Sequence, residues 1–229
     1  TCVVNFPTDR SLVVSACAGS GKSTTLALRA RALLEAGVPA DDVLVLTFST
    51  RSRDDLGAKM RQLIPEGPRP PIWTHHALAL HLIRRLGCLF EVSTARTQRE
   101  YMRDAMLEAG VAGADGVATA GIRRMLSKVA AVKAVSSSPL TGQGGDEQPS
   151  MAALSAEERC CISIYTAKMQ AAALLDFEDM ILFAVDALRK GAAPARYRHL
   201  LLDEAQDTSS AQQKLLEQLA QGGGAQGGG

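Results

Sequence analysis

The stretch SACAGSGKST, residues 15–24, sets Gly19, Gly21 and Lys22 between an apolar run and a helical pattern. Glycine has no Cβ, so backbone amides in such a loop can close around an anion. Where a helix begins directly afterwards, its first amides lack intrahelical partners, and the helix dipole adds positive character at the same point. Lys22 would reach the β- and γ-phosphates of a nucleotide, and the Ser23 hydroxyl would ligate Mg²⁺. The loop departs from G-x-x-x-x-G-K-[ST] at one position, Ala16, where the first glycine is usual. A glycine-rich turn carrying a solvated lysine is the plainer alternative, but strand and helix signals on either side favour a triphosphate cradle formed by Ala16, Cys17, Ala18, Gly19, Ser20, Gly21, Lys22, Ser23 and Thr24.

A second stretch, LLLDEAQD at residues 200–207, supplies carboxylates after an apolar strand pattern. Ligands of open parallel sheets bind at the carboxyl ends of the strands, where Asp203 would stand. Asp203 would hold Mg²⁺, Glu204 would orient and deprotonate an attacking water, and Gln206 would sense the γ-phosphate. Asp207 is read as a brace for the loop. Taken alone, an Asp-Glu pair after a strand is more often a helix cap than a catalytic pair. The phosphate cradle earlier in the chain tips the balance toward catalysis.

These residues need elements to position them. Apolar runs at 11–16 and 43–48 read as buried strands, and LLLDEAQD begins as a third. Helical periodicity covers 23–36, stopped by Gly37, and roughly 52–64, ended by Pro65. Alternating strands and helices of this kind predict a parallel sheet with crossover helices. After residue 87 the strand signals cease, and helical patterns occupy about 97–109, 121–135, 155–174 and 177–190. SAEE at 155–158 has capping-box spacing, and Asp176 reads as an N-cap with Phe177 packed inward. Arg123, Arg124, Lys128 and Lys133 read as a solvated helix face with at most accessory contact to a nucleic acid. The polar segment 136–150 reads as a mobile linker, the pattern of a last helix runs to Leu219, and the Gly-rich residues 221–229 form a flexible tail. The expected fold is α/β, a P-loop NTPase parallel sheet interrupted by a mostly α-helical inserted subdomain.

Composition sets outer bounds. The 229 residues are 46% hydrophobic but only 4% aromatic, so Ala and Leu must fill much of the interior. A net charge of +1 excludes a globally basic nucleic-acid coat and leaves room for a local basic groove. Five cysteines without a C-x-x-C pair suggest neither a disulfide framework nor a zinc site. No apolar run reaches membrane-span length, so no membrane partner is expected, and no basic-then-apolar leader stands at the N-terminus. An initial Thr in place of Met is what a fragment or a processed product would be expected to carry.

ACAGSGKST, VLVLTFSTRSRDDL, WTHHALALHLIRR, DFEDMI and LLLDEAQDTSSAQQKLLEQLA occur in this order. Together they resemble UvrD/Rep-like superfamily 1 DNA helicases over nearly the whole chain. The resemblance implies a first RecA-like domain from residues 1–87 and 197–220, with a helical insert at 88–196. It implies ATP and Mg²⁺ as cofactors, with Lys22, Glu204 and Gln206 in hydrolysis and Ser23 and Asp203 on the metal. It implies 3′-to-5′ movement on single-stranded or partly duplex DNA, working with a second RecA-like domain of the same parent chain. TFST resembles the family's T-F-T-N and would bring Phe48, Ser49, Thr50 and Arg51 near the DNA strand. THHA resembles T-F-H-S and would add Thr74, His75 and His76, with His75 replacing the usual phenylalanine. From the residues by themselves, Phe48 and Trp73 read as core at strand ends. Cys17 stands where the family often has glycine, and the adenine-reading glutamine would fall at or before Thr1. A DNA motor implies an intracellular location, in the nucleus of a eukaryote or the cytoplasm and nucleoid of a bacterium. The competing reading is a degenerate P-loop module that binds nucleotide in a scaffolding or regulatory role.

Overall fold

An unbroken apolar run makes the central strand: all five residues of β1, Val43–Thr47, are buried. A strand covered on both faces belongs in a parallel sheet flanked by helices. The computed structural model describes residues 3–8, 10–17, 19–87, 90–111, 117–135, 153–191 and 197–223. Along the chain run α1 (Lys22–Glu35), β1, α2 (Thr50–Leu63), β2 (Ile72–Thr74) and α3 (His75–Arg85). There follow β3 (Glu91–Val92), α4 (Ala95–Glu108), α5 (Thr119–Val135), α6 (Ala156–Ala171), β4 (Leu174–Leu175) and α7 (Phe177–Arg189). The last two are β5 (His199–Leu202) and α8 (Ser210–Gly223).

The chain divides into two units. One comprises Thr1–Leu78, Pro194–Thr208 and Leu216–Gly229, the other Ala79–Ala193 and Ser209–Leu215. One change of unit along the chain falls at Ala79, inside α3, and another falls inside α8.

In the first unit β1 lies between β2 and β5, parallel to both, with Val45 opposite Ile72 on one side and Leu201 on the other. Helices α1 and α2 pack on this sheet through Ala27, Ala30, Leu56 and Met60 around Val45. The two alanines bring the α1 backbone close to the strand, which is how a chain poor in aromatics fills its core. Helix α2 starts at Thr50 because Ser49 caps it, accepting a hydrogen bond from the Ser52 amide at 3.0 Å.

The apolar run at residues 11–16 is not a strand. Residues 11–17 are all exposed, Val13 at 90%. Apolarity marks a segment suited to a sheet, but a strand exists only where a neighbour offers a ladder, and among the described residues none pairs with this segment. Trp73 is half-buried, whereas Phe48, expected from the residues alone as core, is 54% exposed.

In the second unit α4, α5 and α6 pack around Met102, Met106, Ile122, Val129, Ile162 and Tyr165. The expected capping box forms at α6: the Ser155 hydroxyl accepts from the Glu158 amide, and the Glu158 carboxylate accepts from the Ser155 amide. A two-residue parallel ladder joins β3 to β4, pairing Glu91 with Leu174 and Val92 with Leu175. Two residues carry no readable period, so this ladder leaves no signal in the sequence.

Asp176 caps α7 as expected, but Phe177 is exposed rather than packed inward. Lys133 also corrects the reading of a solvated face: it is 1% exposed, its ammonium donating to Asp176 at 2.6 Å and Asp179 at 2.7 Å. Segment 136–150 lies outside the described residues, and α8 runs on to Gly223, past the expected tail start at 221. No helix among the described residues is long and apolar enough to cross a membrane.

Candidate functional site

The loop before α1 has the conformation its glycines permit. Gly19 (φ 77°) and Gly21 (φ 85°) both lie in the left-handed region, where an L side chain is strained. A Cβ at either would meet nothing within 4 Å, so backbone conformation rather than crowding demands the glycines, and the space before them is open. Gly21 is the N-cap of α1, with no side-chain cap and no acidic residue in the first turn. The first-turn amides are thus left for an outside acceptor. The loop is closed by the Ser20 amide donating to the Cys17 carbonyl at 3.3 Å. Lys22 folds back over it, its Nζ donating to the carbonyls of Ala16 (3.1 Å) and Cys17 (3.2 Å). Ala18 lies outside the described residues; Ser20 and Thr24 are exposed beside the turn.

The acidic centre meets this loop. The Asp203 amide donates to the Leu46 carbonyl at 2.9 Å, carrying the β5 ladder one residue further and fixing Asp203 at the carboxyl edge of the sheet. Its side chain is buried, and Oδ2 accepts a hydrogen bond from Ser23 Oγ at 3.2 Å, across 180 positions of sequence. Two oxygens so placed suit Mg²⁺, which keeps waters and substrate oxygens in its remaining positions. Among the described residues no group of three or more His, Cys, Asp or Glu offers a fuller protein cage.

Glu204 adopts φ 54° and ψ 51°, one of two non-glycine residues at positive φ among those described. Backbone of this kind costs on the order of 1–2 kcal/mol. Gln206 Nε2 donates to Glu204 Oε2 at 2.5 Å, so the amide expected to sense a phosphate engages the carboxylate instead. The Asp207 amide donates to the Glu204 carbonyl at 3.0 Å, closing a short 3₁₀ turn at Ala205–Asp207 that braces the loop.

The residues read as DNA contacts divide. Phe48, Thr50 and Arg51 are exposed just past the carboxyl end of β1. Ser49 sits between them but is engaged as the α2 cap. Thr74 and His75, also read as DNA contacts, are buried. Thr74 Oγ1 accepts from the Ala77 amide at 3.3 Å at the start of α3. His75 is 3% exposed with no hydrogen-bond partner at Nε2, and burial, with His76 adding to it, lowers its pKa to about 4. At that value the buried ring is neutral near pH 7. His76 is half-buried, and burial lowers its pKa as well.

The sequence reading missed two supports. Thr47, fully buried, donates through Oγ1 to the Ser49 carbonyl at 3.2 Å and shapes the corner presenting Phe48. Arg29 donates to the Val4 carbonyl at 2.8 Å, tying the N-terminal segment to α1. A threonine at the end of an apolar strand was signal enough for the first; an arginine on a helix face gives none for the second.

The family model described as UvrD/REP helicase N-terminal domain matches residues 2–225. The ATP-dependent DNA helicase UvrD1 of Mycobacterium leprae is 28% identical over 233 residues, spanning 91% of this chain and 28% of the relative. The ATP-dependent DNA helicase PcrA of Leuconostoc citreum is 27% identical across 93% of the chain and 29% of the relative. The ATP-dependent DNA helicase Rep of Escherichia coli is 26% identical across 94% of the chain and 33% of the relative. The 229 residues thus span a third or less of the length of these relatives.

Proposed function

The chain belongs to the UvrD/REP helicase N-terminal domain family, and from that premise we propose that it is the ATP-binding part of a 3′-to-5′ DNA helicase or translocase. The observation that carries this reading is the contact between Ser23 and Asp203, made beside the uncapped start of α1 and the Lys22 ammonium. The α1 amides and Lys22 bind the β- and γ-phosphates of ATP. Ser23 and Asp203 would hold Mg²⁺, which would neutralise charge on the phosphate oxygens. Glu204 accepts the proton of the attacking water, and the Gln206 amide fixes the carboxylate for that task. The strained backbone at Glu204 fits a residue held for function rather than for stability.

Single-stranded DNA passes Phe48, whose exposed ring offers a stacking face, with Thr50, Arg51 and His76 beside it. A second RecA-like domain of the parent protein is the working partner, and the compartment is wherever that protein meets DNA. The first RecA-like domain is drawn from 1–87 and 197–220, with the insert at 88–196.

Calorimetry with Mg²⁺-ADP tests the nucleotide site. Lys22→Ala removes a charge-assisted phosphate contact worth about 1.5–3 kcal/mol, so affinity falls by roughly tenfold or more. Unchanged affinity sinks the assignment.

A further inference from the structure

Away from the nucleotide site, the second unit gathers more negative than positive charge at one sheltered point. Lys133, near the end of α5, is buried, and its ammonium donates to Asp176 at 2.6 Å and to Asp179 at 2.7 Å. Asp176 caps α7, and Asp179 stands in its first turn. Glu178 of the same turn is half-buried, with Oε2 enclosed and without a hydrogen-bond partner. From α6, Tyr165 is fully buried; both aspartates act on its phenol electrostatically, yet its hydroxyl has no hydrogen-bond partner and so gives them no donor. Strand β4, which also packs against α7, brings only Leu174 and Leu175.

Two carboxylates held to one lysine repel each other strongly away from water, and a proton on one of them relieves the repulsion. Asp176 is placed to keep its charge. Its Oδ2 accepts from Lys133 and its Oδ1 from the Asp179 amide at 2.8 Å, at the positive end of the α7 dipole. Asp179 has the shared lysine as its side-chain donor, and burial raises its pKa to about 6, Asp176 adding to the rise and Lys133 opposing it. Deprotonating the lysine instead would leave both aspartates without a counter-charge. The proton has a way in: the Asp176 and Asp179 side chains keep 14% and 13% of their surface exposed, against 2% for Lys133.

We propose that Lys133, Asp176 and Asp179 form a proton-operated clasp: Asp179 takes up a proton as the surroundings turn mildly acidic, and the end of α5 is then held more firmly to the start of α7. The step moves one proton from solvent to the Asp179 carboxylate and no electrons. It converts one cation facing two aspartates into an ion pair of Lys133 with Asp176 beside a neutral acid. The sign follows from linkage: a carboxyl whose folded value is raised stabilises the closed form on the acid side, and closure weakens as pH rises through about 6. Glu178, whose carboxyl is also pushed up by burial and then by Asp176, is the competing acceptor. Lys133 lies two residues from the end of α5, so loosening is confined to that turn and leaves the core around Met102 and Ile122 in place.

Two measurements on the 229-residue chain test the clasp. Carbon-13 shifts of labelled aspartate carboxyls, followed from pH 8 to pH 4, should show one side chain titrating near 6, and that signal should be missing from Asp179→Asn. Amide hydrogen exchange, corrected for its intrinsic pH dependence, should show the last turn of α5 and the first turn of α7 about tenfold better protected at pH 5 than at pH 7.5. That factor is the one expected for a carboxyl raised from its ordinary value to about 6. Asp179→Asn stands for the protonated acid and should keep the higher protection at both pH values, while Glu178→Gln should leave the response intact. Aspartates that all titrate below pH 5, or protection that does not rise on acidification, would overturn the proposal. So would a response lost in Glu178→Gln and kept in Asp179→Asn. Should Asp179→Asn not fold, titration and exchange of the unaltered chain decide by themselves. Neither measurement involves nucleotide, so failure of the site at Lys22 is distinguishable from failure here.

Discussion

Glu204 and His75 are both held where their own chemistry would not put them. At φ 54°, Glu204 stores on the order of 1–2 kcal/mol of backbone strain. Glu204→Gly should therefore raise stability in urea by up to about 1 kcal/mol, because glycine's greater unfolded-state entropy offsets part of the relief. A loss of stability would mean that the side chain contributes more than the strain costs. His75 must stay neutral in its buried position, with its pKa lowered to about 4. A depressed folded value means that stability is full above the unfolded pKa of about 6.5 and is lost as pH falls through about 4. The loss reaches about 3 kcal/mol across that window at 1.36 kcal/mol per unit, less if local opening admits water. His75→Phe should flatten the acid side of the urea-midpoint profile between pH 7 and 4. An unchanged slope would assign that pH dependence to other groups.

Helices α5 and α7 are joined by a charge rather than by apolar packing alone. The Lys133 ammonium sits between Asp176 and Asp179, and removing it would leave two carboxylates buried together. Lys133→Met is expected to cost 3–5 kcal/mol, roughly the penalty for breaking a buried pair by deleting one partner. Adding Asp179→Asn should recover part of that loss, while Asp176 is kept as the α7 cap. Chemical denaturation followed by far-UV circular dichroism reads both variants; a cost under about 1 kcal/mol for Lys133→Met would show the clasp to be idle. Burial raises the Asp179 pKa to about 6, with Asp176 adding to it and Lys133 opposing. A raised folded value contributes stability that is full below about 4 and lost as pH rises through about 6, opposite in sign to His75.

At the scale of the molecule, these 229 residues correspond to a third or less of the relatives. In the proposed function Lys22, Asp203 and Glu204 bind phosphate and activate water, but charge developing on the γ-phosphoryl group asks for more stabilisation. In P-loop enzymes an arginine supplied from elsewhere contributes about 10³–10⁵ in rate. The 229 residues by themselves are therefore expected to hydrolyse ATP very slowly and not to unwind DNA. A chain extended through a second RecA-like domain should show DNA-stimulated turnover, and Glu204→Gln in that longer chain should abolish it. Robust DNA-stimulated turnover by the 229 residues alone, removed by Glu204→Gln, would refute the division of labour.

Local chemistry was enough to identify the glycine turn at Gly19 and Gly21, the caps at Ser155 and Asp176, and the parallel character of β1. Each depends on residues within a few positions of one another, through glycine's φ range, a hydroxyl or carboxylate three residues from an amide, or an unbroken apolar run. What depends on a partner far along the chain was not legible. The run at 11–16 has the apolarity of a strand but no ladder among the described residues. Lys133 was read as solvated because its partners lie 43 and 46 positions away. Ser23 and Asp203 could each be named from their own motifs, yet only folding brings them to 3.2 Å. Conformational preference acts over one or two turns of chain, whereas hydrogen bonding, charge pairing and burial act through space. The sequence by itself therefore determined the donors and the caps, and the tertiary structure decided which of them meet.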